Sequence, residues 1–180
     1  MDHQALDEKA IEVIREHDID PSNGYDIVSL AKRMGFYVAT AFLEDNEDGF
    51  VMVNNKGEDI YNTGSNKLIV VNETREQSLK RFIIAHEIGH YVINGKETPM
   101  FAHRKKTNGS RTDNEQDIDY FAASLLMPKD AFIAKNNLLI NDGRSFSERI
   151  ETLVSVFKVP MVSVLRRFEE LKLVPLEGNA

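Results

Sequence analysis

Leu6, Ala10, Val13 and Ile14 recur at the spacing of one helical face, with His17 on the same stripe. The pattern predicts a first helix from about Ala5 to His17. The breaker IDPSNG follows, and Asp26 then has the chemistry to cap a second, short helix that Gly35 ends. From there the period changes. FYVATAF, GFVMVN and KLIVVN are β-like runs separated by the Asn- and Gly-rich stretches VNNKGED and YNTGSNK, with a short pairing segment around Ile60 and Tyr61. A helical pattern returns at Thr74, which has capping-box spacing to Gln77, and stops at Asn94–Gly95. Residues 96–111 are polar, contain Pro99 and Gly109, and read as a loop. DNEQDIDYFAASLLM forms the next helix and Pro128 halts it. PKDAFIAKN, SFSERIETLVSVF and PMVSVLRRFEELK complete an all-helical C-terminal part, with Pro160 in the first turn of the last helix.

Strands that precede long helices predict the α+β class: a small, mostly antiparallel sheet packed on the helix beginning at Thr74, followed by a helical C-terminal part. We expect one domain over residues 1–180. Residues 1–128 would hold the sheet and the functional core, and residues 129–176 a helical subregion. A chain of 180 residues, 42% hydrophobic and 28% charged, is long enough to bury a real core. The absence of cysteine excludes disulfides and thiolate metal sites. No apolar run approaches the roughly 18 residues of a membrane span, so a cytoplasmic protein is expected, with no membrane partner. A formal net charge of −7 argues against nucleic-acid binding, although LEDNEDG is acidic and HRKKTNGSR basic.

One apolar stretch carries chemistry that a plain core helix would not. In FIIAHEIGHYVING, His86 and His90 are four residues apart, so on a helix they point from one face, with Glu87 about 100° round. Buried polar groups require partners. Two neutral imidazoles at that separation bind one zinc ion, and the glutamate between them reaches a water on the metal. Phe82, Ile83, Ile84, Ala85, Ile88, Tyr91, Val92 and Ile93 leave almost no polar stripe, so the helix is expected to be buried on most sides.

Catalytic zinc takes three protein ligands as a rule, leaving the fourth position to water. Without cysteine the third ligand is His, Asp or Glu, and the next helix offers Asp113, Glu115, Asp117 and Asp119. Glu115 and Asp119 share a face with the small Ala122, so Glu115 is the expected ligand, and Asp119 the carboxylate that holds a ligand imidazole by its other nitrogen. Thr112-x-x-Glu115 is also a capping-box pattern, which leaves Asp117, or a residue the pattern does not reveal, as the alternative.

AHEIGHY, followed after a variable loop by EQDIDYFAASLLMP, resembles the ImmA/IrrE family of bacterial and phage metallopeptidases. Their usual pattern is HExGH, then E-x-E-A-N/D-x-F-A-A-x-L-L-M-P. KLIVVN and the tail LVSVFKVPMVSVLRRFEEL are similar to that family as well. Asp117 stands where the pattern has a second glutamate, and Ile118 where it has alanine. The resemblance implies a zinc-dependent endopeptidase; well-known members act on helix-turn-helix repressors, relieving repression of a phage, mobile element or stress response, so such a repressor is the expected protein partner.

Within that expectation His86, His90 and Glu115 hold zinc, although such a site also accepts manganese or iron, and Glu87 is the general base. His103, Tyr120 and Tyr91 are candidates for stabilising the oxyanion. GFVMVN is expected at a sheet edge, where an extended substrate adds by backbone pairing. Two rival readings stand beside this one. FSERIETLVSVF-KVP-MVSVLRRFEEL has the proportions of a DNA-binding helix-turn-helix carrying Arg166 and Arg167, but Glu169 and Glu170 follow at once. Alternatively the chain is a metal-binding regulator without proteolysis, in which Glu87 has no task.

Overall fold

Asp2 starts the first helix: its carboxylate accepts from the Gln4 N–H at 3.4 Å, and α1 runs over His3–Glu16. In this computed structural model residues 1–95, 102–105 and 113–174 are described. Asp26 caps α2 (Ile27–Arg33) by accepting from Val28 N–H at 3.0 Å. Leu6, Ala10, Val13 and Ile14 are all buried, so the predicted stripe is the one that faces inward.

Four strands follow among the described residues: β1 (Tyr37–Ala41), β2 (Glu47–Val53), β3 (Lys67–Asn72) and β4 (Ala102–Lys105). They lie in the order β1-β3-β2-β4. β2 is antiparallel to β3, with Gly49 opposite Val71, and antiparallel to β4, with Phe50 opposite His103. β1 and β3 are parallel, with Tyr37 opposite Leu68. The sheet is therefore mixed, its majority of pairings antiparallel. β4 lies inside the stretch expected to be a loop; its polar residues carry no alternation that would mark a strand. The expectation for GFVMVN is corrected by this order. β2 is interior, with both of its backbone edges in ladders, so β1 and β4 are the edges.

Ile60 and Tyr61 are also corrected, because they form a turn and not a pairing segment. Ile60 N–H donates to Ser65 O at 2.9 Å, and Tyr61 and Asn62 take positive φ. Ile60 is apolar because it plugs a small cluster with Met52, Leu68 and Val70.

Helix α3 (Gln77–Asn94) starts after Thr74, and no capping box forms there. The Thr74 hydroxyl donates instead to Asn72 Oδ1 at 2.9 Å, so the residue shapes the turn out of β3. Every residue of α3 from Arg81 to His90 is buried. The helix ends at Gly95, whose φ of 61° suits glycine. α4 (Asp113–Leu126), α5 (Lys129–Asn141), α6 (Phe146–Phe157) and α7 (Met161–Glu170) follow among the described residues. Ser145 and Glu148 close a capping box on α6. Thr112, the other capping-box candidate, lies outside the described residues. Leu6, Ile83, Phe121, Phe132, Phe157 and Phe168 are all fully buried and belong to one apolar cluster, which ties the C-terminal helices to α3 and α4. No helix among the described residues is long and apolar enough to cross a membrane.

Candidate metal centre

α3 and α4 meet along a seam of polar side chains one turn apart. His86 Nδ1 lies 2.9 Å from Asp119 Oδ1. His86 Nε2 is 3.4 Å from one Glu115 oxygen, and His90 Nε2 is 3.6 Å from the other. Because His86 meets Asp119 while both imidazoles reach Glu115, one turn earlier, the helices run antiparallel along the seam. Their approach is close at Gly89: a Cβ there would stand 3.0 Å from Ile118 Cγ2 and 3.1 Å from Phe121 Cδ1. Ile118, the larger residue at the family's alanine position, thus fits over a glycine of the facing helix.

The two imidazole rings meet edge to face at 75°, with their Nε2 atoms 3.1 Å apart. The ligand atoms of His86, His90 and Glu115 all lie within 4.8 Å of one another. Ligands about 2.0–2.1 Å from a tetrahedral ion stand about 3.3 Å apart, close to the three separations given above. Carboxylates face both nitrogens of His86, an arrangement that demands positive charge at its centre, from protons or from a metal. The hydrogen bond with His86, aided by the fields of His86 and His90, holds the Glu115 carboxyl below its ordinary range despite partial burial. The residues fit a metal ion by donor type and by spacing, and Asp119 fixes His86 from behind as metal-bound imidazoles require.

Glu87 is wholly buried on α3 between the two histidines in sequence. The other candidates are scattered. Asp117 forms an ion pair with the Met1 amine, so its side chain is turned from the seam. Tyr120 is corrected as an oxyanion donor: its hydroxyl donates to Asp7 Oδ2 at 3.1 Å, and its ring stacks on His3 at 3.8 Å. Burial raises its pKa above the ordinary value. Tyr91 is likewise elsewhere, with its ring against Phe36 and its hydroxyl accepting from Lys67 Nζ at 3.4 Å. His103 lies on β4 in register with Phe50.

The arginines read as possible DNA contacts are turned towards carboxylates. Arg167 is fully buried and bridges Asp7 and Glu170, while Arg166 reaches Asp119 and Glu170. The sequence reading missed the part Arg166 plays here, and no local pattern joins it to Asp119.

An α+β fold that sets an HExxH helix against a carboxylate-bearing helix defines a protein of metallopeptidase type. Residues 31–169 match the Peptidase M78 model, described as the IrrE N-terminal-like domain, and the chain belongs to that family. Among solved structures it is similar to a Mycobacterium tuberculosis transcriptional regulator, at 17% identity and a TM-score of 0.56. That match covers 92% of this chain and 47% of the other, so this chain spans about half the length of that structure, and the likeness is one of fold. A search among curated proteins gives no match.

Proposed function

We propose that this protein is a zinc-dependent endopeptidase that cleaves a helix-turn-helix repressor in the cytoplasm. The observation that carries the reading is the convergence of His86, His90 and Glu115 beside a fully buried Glu87. Membership of the M78 family supports peptide-bond hydrolysis. The choice of a repressor as target rests on the resemblance to ImmA/IrrE proteins.

His86, His90 and Glu115 would hold the metal. When bound, zinc supplies a water with a pKa lowered towards about 7 and polarises the scissile carbonyl. Asp119 keeps a proton on His86 Nδ1, which leaves the lone pair of Nε2 for the site. Glu87 accepts the proton of the attacking water on its carboxylate and delivers it to the departing amide nitrogen. The apolar walls around α3 keep bulk water from competing for that proton. The arginine geometry of α7 weighs against the DNA-binding alternative, since Arg167 is spent on buried ion pairs.

The test begins with the metal content of the purified chain beside His86→Ala, and continues with cleavage of a purified helix-turn-helix repressor by the zinc-loaded protein and by Glu87→Gln. About one zinc per chain, lost in His86→Ala, and cleavage lost in a Glu87→Gln protein that still binds zinc are expected. Failure to bind metal at neutral pH with zinc added would overturn the reading.

A further inference from the structure

Behind the histidines stands a residue from the other end of the chain. Asp119 is a buried carboxylate, 3% exposed. Its Oδ1 meets His86 Nδ1 at 2.9 Å, and its Oδ2 lies 3.7 Å from Arg166 Nη1 on α7. Arg166 Nε is in turn 3.3 Å from Glu170 Oε1, one turn further along α7. Taking a carboxylate out of water is expensive unless an opposite charge and hydrogen bonds replace the lost solvent. A neutral imidazole supplies Asp119 with a hydrogen bond but no net charge, whereas the guanidinium supplies the charge.

The setting makes this contact adjustable. Asp119 and Arg166 both line a cavity of about 700 Å³, together with Phe82, one turn before His86 on α3, and Val162 of α7. The Arg166 side chain is 44% exposed, so it can be altered without opening the core.

We propose that Arg166 is a positioning residue for the metal centre: through Asp119 it fixes the imidazole of His86, and α7 thereby sets part of the metal affinity. The proposal rests on the metal-binding reading above. Sign separates it from simple electrostatics. Removing a cation near the site would, by charge alone, favour a second cation and tighten metal binding. Loss of a positioning contact loosens it. Partners that orient metal-bound histidines are typically worth 10–100-fold in affinity, and Arg166 acts one contact further out.

The experiment is competition for zinc between a chromogenic chelator and the full chain, in five forms: unaltered, Arg166→Met, Arg166→Lys, Asp119→Asn and the double variant of Arg166→Met with Asp119→Asn. Thermal unfolding of each form is followed in parallel. The expected result is about tenfold weaker zinc binding in Arg166→Met with little change in Tm, partial recovery in Arg166→Lys, and a double variant no weaker than Asp119→Asn alone. Zinc binding in Arg166→Met as tight as in the unaltered chain, or tighter, would overturn the inference while leaving the metal site intact. Losses that multiply in the double variant would also overturn it, because Arg166 would then act by a route other than Asp119. An unaltered chain that binds no zinc would remove the parent reading and this inference together.

Discussion

Two polar clusters sit on neighbouring positions of α4, and they are built on opposite principles. From Tyr120 and Ser124, hydroxyls donate to the two oxygens of Asp7 at 3.1 and 2.7 Å, and Arg167 adds a guanidinium to Asp7 at 3.0 Å. Donors and acceptors are matched, so this cluster closes on itself and staples α1, α4 and α7. From Glu115 and Asp119, by contrast, carboxylates face imidazoles whose Nε2 atoms point at each other. That cluster gathers the ligand atoms of His86, His90 and Glu115 within 4.8 Å of one another, a donor set that fits a metal ion. The first pairs hydroxyls and a guanidinium with carboxylates, whereas the second collects metal-ligating atom types around one point. α7 serves both, with Arg167 in the first and Arg166 behind the second.

Substitutions can sharpen that contrast, and the largest effect is expected at the convergent cluster. His90→Ala should abolish stoichiometric zinc binding, as read by metal analysis, while leaving Tm of the metal-free protein nearly unchanged. The staple should behave in reverse. Arg167→Met leaves Asp7 and Glu170 without their buried cation and should lower stability by about 3 kcal/mol, seen as a reduced urea midpoint, with zinc affinity unaltered in the folded fraction. If Arg167→Met weakened zinc binding as much as it weakened the fold, the two clusters would not be separable.

Gly89→Ala probes the seam between the clusters, since the added methyl meets Ile118 and Phe121. It should cost about 1–3 kcal/mol, and Ile118→Ala in the same chain should recover part of that by making room. The smallest effect lies outside both clusters, at the α2 cap. The Ser29 hydroxyl and the Val28 N–H hold the Asp26 carboxyl below its ordinary value of 3.8. A depressed carboxyl contributes stability that is fully present above the ordinary value and fades as pH falls through the lower, folded one. Asp26→Ala should therefore cost about 1 kcal/mol at neutral pH. Thermal unfolding repeated below pH 3.8 should show that gap closing.

Much of this architecture was legible from period and punctuation. α1, α2 and α6 carry clear stripes and cap residues, and the four-residue spacing of His86 and His90 by itself points to the seam. The misses have physical causes. β4 is polar and pairs on one side only, so nothing in its composition distinguishes it from a loop. α5 runs beyond its expected end at Asn136 because that asparagine is not a breaker: its buried Oδ1 accepts from Arg149 at 2.8 Å. Leu138 and Ile140 beyond it are exposed, which hides the stripe. At the site, Glu115 and Asp119 could be chosen by face, but the contact between Asp119 and Arg166 joins helices distant in the chain. No local rule reaches that far.

The staple between Asp7 and Arg167 also bears on how the protein is made. Those two residues are separated by 160 positions, nearly the whole described chain. At translation rates of the order of 5–20 residues per second, α1 emerges on the order of 10 seconds or more before the arginine that will anchor it. For the later part of that interval the histidine helix has been made but has neither Arg166 behind its site nor α7 closing the core. Until then Asp7 has no guanidinium to complete its cluster, so the docking of α1 waits on the emergence of α7.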